Sequence, residues 1–277
     1  MSEIKWTYQN WWISASASDT GKQRENNEDA VLCLDRSGCF VVSDGMGGGS
    51  AGEIASSTVV TYIRNAIAEC PMTMEQRREA VSNAVYRAHE AIVDYADRHE
   101  YESMGATVVV LLLDPFAPDR AELFFAGDSR IYRMRGKNLE CLTSDHTIAN
   151  VSGIPEKKLP SYMAGLLSNV VGIKKGFFLA SQSVDIQKDD VFLLCSDGLY
   201  RQIPDAKLLH AVLKGKNLKD VLSGWIHDAN HAEGIDNLSA ILVRFGNLPS
   251  GNQIKSVPDE YHETLDDSGE NLQETVL

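Results

Sequence analysis

The 277-residue chain is predicted to fold as an α+β domain with mostly antiparallel sheets. Three observations carry that prediction. Helical periodicity is confined to two groups, one within 50–95 and one within 205–230. Short runs rich in Val, Phe and Leu, separated by turn residues, fill most of the rest. Three of those runs end in an aspartate: Phe40-Val41-Val42-Ser43-Asp44, Leu123-Phe124-Phe125-Ala126-Gly127-Asp128 and Val191-Phe192-Leu193-Leu194-Cys195-Ser196-Asp197. A carboxylate at the tip of a buried strand sits on the rim of its sheet. Where such tips converge, two carboxylates about 4 Å apart repel by roughly 4 kcal/mol at an effective dielectric near 20. A rim of this kind calls for a cation, and all-oxygen ligation selects a hard divalent ion such as Mg²⁺ or Mn²⁺. The working expectation is a metal-dependent enzyme.

Along the chain, residues 1–10 read as a polar lead-in, and 11–18 alternate loosely, as a first or edge strand does. Residues 30–34 and 39–43 flank Asp35-Arg36-Ser37-Gly38, a hairpin turn. Residues 50–69 read as a helix with Ser50 as N-cap and Val59, Ile63 and Ile67 on one stripe. Thr73 and Gln76 fit a capping box. After it, Val81, Val85, Ala88, Ile92 and Tyr95 repeat at helical spacing, the clearest helix in the chain. Strands are expected at 107–113, 122–126, 131–135 and 139–142. Residues 147–180, punctuated by Gly and Pro, read as a flap insertion. Strands resume at 181–186 and 191–195, two helices fall within 205–230, and 238–245 is a last strand. One domain is thus expected over 11–248. Residues 249–277 turn polar and acidic and are expected to form a disordered tail.

Charge and composition narrow the function. The hydrophobic fraction of 43% is ordinary for a globular protein. A formal charge of −13 argues against nucleic acid or an anionic membrane as partner. Part of that charge is local, because residues 251–277 carry seven acids against one base, Lys255. The five cysteines (Cys33, Cys39, Cys70, Cys141, Cys195) form no CxxC pair, which predicts buried, reduced thiols in a cytoplasmic protein. No apolar run reaches transmembrane length, and no basic-then-apolar leader opens the chain, so neither membrane insertion nor secretion is expected.

The chemistry lies in five clusters: Arg24-Glu25-Asn26-Asn27-Glu28-Asp29, Asp44-Gly45-Met46-Gly47-Gly48-Gly49, Gly127-Asp128-Ser129-Arg130, Ser196-Asp197-Gly198 and Asp236-Asn237. Taken singly, an Asp-Gly pair reads as a turn. Taken together, in this order and at these strand ends, they are specific. With Gly21-x-x-Arg24-x-x-Asn27-Glu28-Asp29 and Leu142-Thr143-x-Asp145-His146 added, the chain over about 15–246 resembles the metal-dependent protein phosphatases of the protein phosphatase 2C type. Met46 after Asp44-Gly45 resembles the bacterial branch.

The resemblance implies a fold of two stacked antiparallel β-sheets flanked by helices on both outer faces, an αββα four-layer sandwich with the metals at one end. It also implies roles. Asp44 would bridge two Mn²⁺ or Mg²⁺ ions, with Glu28 and the carbonyl of Gly45 on one ion and Asp197 and Asp236 on the other. Asp128, with Asp197, would hold a third, weaker ion. Asp29 and Asn237 would support these ligands from behind. Arg24 would clamp the phosphate through its fork of donors. A water bridging two ions would hydrolyse phosphoserine or phosphothreonine esters of protein substrates directly, opposing a bacterial Ser/Thr kinase.

Two departures stand out. Animal members carry a histidine proposed as general acid where Met46 stands, so metal-bound water is expected to protonate the leaving group here. The flap has Asn169-Val170-Val171-Gly172 where members often show Thr-Arg-x-x-Gly. Plainer readings compete at single residues. Arg130 reads as a local structural partner, His146 as a loop histidine capping a turn, and Cys195 as an inert buried thiol. His210, His227 and His231 show no metal-ligand spacing with cysteine. Two alternatives remain for the whole chain. One is a serine hydrolase using Ser50 in the G-x-S-x-G elbow of Gly48-Gly49-Ser50-Ala51-Gly52, followed by Asp197 and His227 or His231. The other is a pseudophosphatase that binds phosphoproteins without cleaving them, against which stands the presence of Asp44, Asp197 and Asp236.

Overall fold

Two antiparallel sheets lie back to back, each covered on its outer side by helices. A computed structural model describes residues 11–47, 50–68, 73–160, 163, 165–215 and 217–246. The expected lead-in at 1–10 and acidic tail at 249–277 lie outside them. One sheet has the order β1 (Trp12–Asp19), β11 (Leu238–Phe245), β10 (Val191–Cys195), β7 (Arg130–Arg135), β8 (Asn138–Cys141). The other runs β2 (Asp29–Leu34), β3 (Cys39–Met46), β5 (Val108–Leu113), β6 (Arg120–Ala126), β9 (Ala180–Asp185), with the two-residue β4 (Gly105–Ala106) pairing the end of β3.

Side-chain alternation along the strands builds three apolar layers. Cys39 and Val41 of β3 and Val108, Val110 and Leu112 of β5 pack with α1 (Ser50–Ala68) and α2 (Met74–Arg98). Their neighbours Phe40, Val42, Val109, Leu111 and Leu113 meet Phe192, Leu194, Ile241 and Val243 of the other sheet. Val191, Leu193 and Cys195 turn outward under α5 (Asp205–Lys214) and α6 (Leu218–Ala232). A strand buried on both faces has no polar face to show, which is why these runs read as continuously apolar. Each fully buried Leu or Phe contributes about 1.5–3 kcal/mol relative to exposure.

The expected elements form, with informative differences. The Thr73 hydroxyl caps α2 by accepting from the Gln76 N–H, and Val81, Val85, Ala88 and Ile92 are buried along it, with Tyr95 partly so. Ser50 is the first residue of α1 rather than a residue preceding it. The strand expected to end at Asp44 runs on to Met46. The strand expected at 107–113 begins at Val108, and the backbone and hydroxyl of Thr107 turn to Asp44. A one-turn helix, α4 (Asp197–Tyr200), begins at Asp197, where the apolar pattern gave no helical signal. Cys39 and Cys195 are buried and Cys33 partly so, but Cys141 is exposed on the edge strand β8. In the flap, α3 (Ile148–Ser152) is followed by turns, and Val171 bridges back to Ala106.

Candidate metal centre

Both sheets deliver acids to one end of the sandwich. Asp29 and Asp44 face each other across the β2–β3 ladder. Asp128 follows β6, Asp197 follows β10, and Asp236 precedes β11. Like charges directly opposite one another destabilise a strand pair. Asp44 shows the cost most clearly. Burial, then Asp29, Asp197, Asp128 and Asp236, push its carboxyl well above the ordinary carboxylate range. Burial raises Asp29 to about 7 against the hydrogen bond from Ser196. Asp128 is raised to about 6 by burial and Asp197, against the pull of Arg201. Asp197 and Glu28 are also raised, burial leading in each case.

The loop carrying Arg24 and Glu28 is seated by Asn237, which is buried. Its Oδ1 accepts the Glu28 N–H at 2.8 Å, and its Nδ2 donates to the carbonyls of Thr20 and Asn26, each at 2.9 Å. Arg24 and Asp236 form an ion pair at 2.8 Å, with both side chains partly exposed. Glycines let these pieces close. The Gly45 N–H donates to the Glu28 carbonyl at 3.0 Å, and a Cβ at Gly45 would strike the Gly52 carbonyl. A Cβ at Gly52 would strike the Glu28 carboxylate itself. Gly52, read above as part of a serine elbow, instead makes room for Glu28.

Several supporting residues have roles that the sequence did not assign. The Ser196 hydroxyl donates to Asp29 Oδ2 at 2.8 Å and accepts the Ser239 N–H at 3.0 Å, tying the two sheets together beneath the acids. Thr107 Oγ1 accepts the Asp44 N–H at 2.9 Å and shares a 2.7 Å hydrogen bond with Ser129. The signal available was a hydroxyl at the edge of an otherwise apolar run. Arg201 lies 2.9 Å from Asp197 and 3.4 Å from Asp128, and its signal was the i, i+4 spacing from Asp197. Asn169 is buried and exchanges hydrogen bonds with both backbone groups of Phe178, pinning the flap.

The residues given plainer readings take structural places. Arg130 pairs with both oxygens of Asp145, at 2.9 and 2.7 Å, and donates to the Tyr132 hydroxyl. His146 Nδ1 accepts from Asn169 at 2.9 Å and from the Gly127 N–H at 3.3 Å, so it joins the flap to the Asp128 loop as a neutral ring. Burial lowers its pKa accordingly. Cys195 is fully buried, and burial raises its thiol well above the ordinary value. The serine-hydrolase elbow does not assemble. Gly48 and Gly49 lie outside the described residues, the sheets are antiparallel, and Ser50 heads a helix on one outer face while His227 and His231 lie on α6 on the other.

The donor set suits a hard divalent ion. It is all oxygen, the acids raise one another's pKa values, and the buried Asp29 Oδ1 has no hydrogen-bond partner. Among the described residues, no three His, Cys, Asp or Glu side chains already form a closed metal cage. The acids make a concentrated negative mouth in which Arg24 and Arg201 are the nearby cations.

A four-layer αββα sandwich with an oxygen-donor acid cluster at one end defines a metal-dependent hydrolase of phosphoric esters. Residues 20–242 match the family described as Protein phosphatase 2C, and the chain belongs to that family of protein serine/threonine phosphatases. It is 30% identical to the protein phosphatase PhpP of Streptococcus pneumoniae over 82% of this chain and 94% of that one. The fold is similar to PppA, described as a key regulatory component of T6SS in Pseudomonas aeruginosa. The TM-score there is 0.77 at 30% identity, covering 85% of this chain and 98% of that one. It is also similar to the catalytic domain of the serine/threonine protein phosphatase PstP, solved in complex with two manganese ions. That match has a TM-score of 0.72 at 27% identity and covers 85% and 99% of the two chains.

Proposed function

We propose that the chain hydrolyses phosphoserine and phosphothreonine esters of proteins in the cytoplasm, opposing a Ser/Thr kinase, with two Mn²⁺ or Mg²⁺ ions as cofactors. The observation that carries this reading is the convergence of Asp29, Asp128, Asp197 and Asp236 on Asp44. Asp44 would be shared between the ions, with Glu28 and the Gly45 carbonyl on one side and Asp197 and Asp236 on the other. Two such ions, when bound, supply Lewis-acid activation of water and neutralise the phosphate. The manganese-bound relative supports the cofactor class. No helix among the described residues is long and apolar enough to cross a membrane.

The protein's own groups do the rest. Asn237 holds the Glu28 backbone, and Ser196 holds one oxygen of Asp29, so the ligand loops are set before substrate arrives. Arg24 is about half exposed at the mouth and already engages an oxygen anion, the Asp236 carboxylate. A phosphate dianion entering the mouth competes for the same fork of donors. Met46 is exposed there and has no proton to give. The leaving alkoxide would take its proton from water held at the metal site, as expected from the sequence, and rates would then fall steeply as leaving-group pKa rises. Equal rates for matched aryl and alkyl phosphates would sink that assignment.

The test is hydrolysis of an aryl phosphate and a phosphothreonine peptide by the purified chain. Activity should require Mn²⁺ or Mg²⁺, stop with excess chelator, and vanish in Asp44→Ala and Asp197→Ala. Folded, metal-loaded protein with no activity would favour a phosphoprotein-binding role.

A further inference from the structure

Asp128 and Asp197 are the pair to which the resemblance assigns a third, weaker metal ion. In the structure a guanidinium already spans them. Arg201 Nε lies 2.9 Å from Asp197 Oδ2, and Arg201 Nη2 lies 3.4 Å from Asp128 Oδ2. The placement is built in. Arg201 is the C-cap of α4, four residues after Asp197, so one helical turn brings its side chain over that carboxylate. The Tyr200 hydroxyl donates to the Asp128 carbonyl at 3.0 Å, which fastens the Asp128 loop to the same turn. The Arg130 guanidinium, fixed by Asp145, lies 3.7 Å from the centre of the Tyr200 ring and holds the turn from the other side.

We propose that Arg201 is a tethered cation in the place of the third metal, so that this chain binds two divalent ions and not three. The proposal rests on the two-metal reading above. A guanidinium is permanently charged, and its planar fork can serve two carboxylates at once. A divalent ion on Asp128 and Asp197 would sit within ion-pair distance of that charge and would have to expel it. Arg201 is a positioning residue in this scheme. It steadies Asp197, a ligand of the two-ion site, and keeps Asp128 from acting as a ligand.

The test counts bound Mn²⁺ per chain, from the free-ion electron paramagnetic resonance signal during titration of the full-length protein. Wild type should bind two ions. Arg201→Leu, with unchanged circular dichroism, should bind two and then a weaker third, and Arg201→Gln offers a second neutral side chain should leucine disturb the fold. Arg201→Lys should return the count to two, and so should Asp128→Asn added to Arg201→Leu. Three ions in wild type, or only two in both neutral variants, would overturn this inference alone. Fewer than two ions in wild type, with Asp44→Asn unchanged from it, would overturn the two-metal reading and this inference with it.

Discussion

The two ends of the sandwich carry acids in quantity and use them in opposite ways. At the end where β10 begins, Asp190 is fully buried and fully satisfied: Arg135 grips its two oxygens at 2.8 and 2.7 Å, and the Gln187 N–H adds a third bond at 2.8 Å. Asp185 and Glu140 beside it pair with Arg133, and Asp185 also with Arg135. At the end where β10 finishes, Asp29, Asp44, Asp128, Asp197 and Asp236 crowd together, and burial and mutual repulsion raise Asp44 well above its ordinary range. The first end is neutralised by the protein itself. The second needs positive charge from outside, and that shortfall marks it as the functional one.

The largest effect that could break this contrast is in activity. Asp44→Asn should lower phosphatase activity by about 10³-fold or more, since it removes several kcal/mol of transition-state stabilisation. The same variant should raise the melting temperature of the metal-free protein by relieving repulsion. A lowered metal-free melting temperature would contradict the account of the acid mouth. Asn237→Ala removes three hydrogen bonds from the Glu28 loop and should cost about 10–100-fold in activity or metal affinity. Its readout is the Mn²⁺ concentration for half-maximal rate.

At the other end, Asp190→Asn should cost about 2–3 kcal/mol in stability by breaking a charge-assisted pair, with activity kept at temperatures where the fold holds. Urea unfolding together with a rate assay separates the two ends in one comparison. A fourth effect is in pH. Asp29 and Asp128 hold protons up to about 7 and about 6 in the folded chain and release them near 4 when unfolded. Below about pH 4 that contribution is complete. Metal-free stability should then fall as pH rises from about 4 to about 7, and saturating Mn²⁺ should abolish the fall. Stability rising over that window in chelator would reverse the assignment.

Much of the scaffold was legible because it is double-faced. β10 and β11 form at the positions where apolar runs predicted them, since strands covered on both sides leave no register ambiguity between core and solvent. The end of β3 was harder. Asp44, Gly45 and Met46 have poor strand composition, yet they remain in the strand because Gly45 and Met46 pair with Ala106 and Gly105. The helix at Asp197 was invisible for a different reason. One turn is too short to display a period, and its closure depends on Gly198 lying where a side chain would strike the Asn237 carbonyl.

The sequence by itself determined the make-up of the cluster: aspartates at the ends of two-faced strands, glycines beside them, and an Asn after Asp236. Those follow from local rules of burial and backbone freedom that act over a few residues. Only the tertiary structure decided which charges meet. Arg24 finds Asp236 across the whole chain, Ser196 reaches Asp29, and Arg201 comes to lie between Asp128 and Asp197. Coulombic and hydrogen-bonding partners are set by distance in space, and of these contacts only Arg201–Asp197, one helical turn apart, follows from separation along the chain.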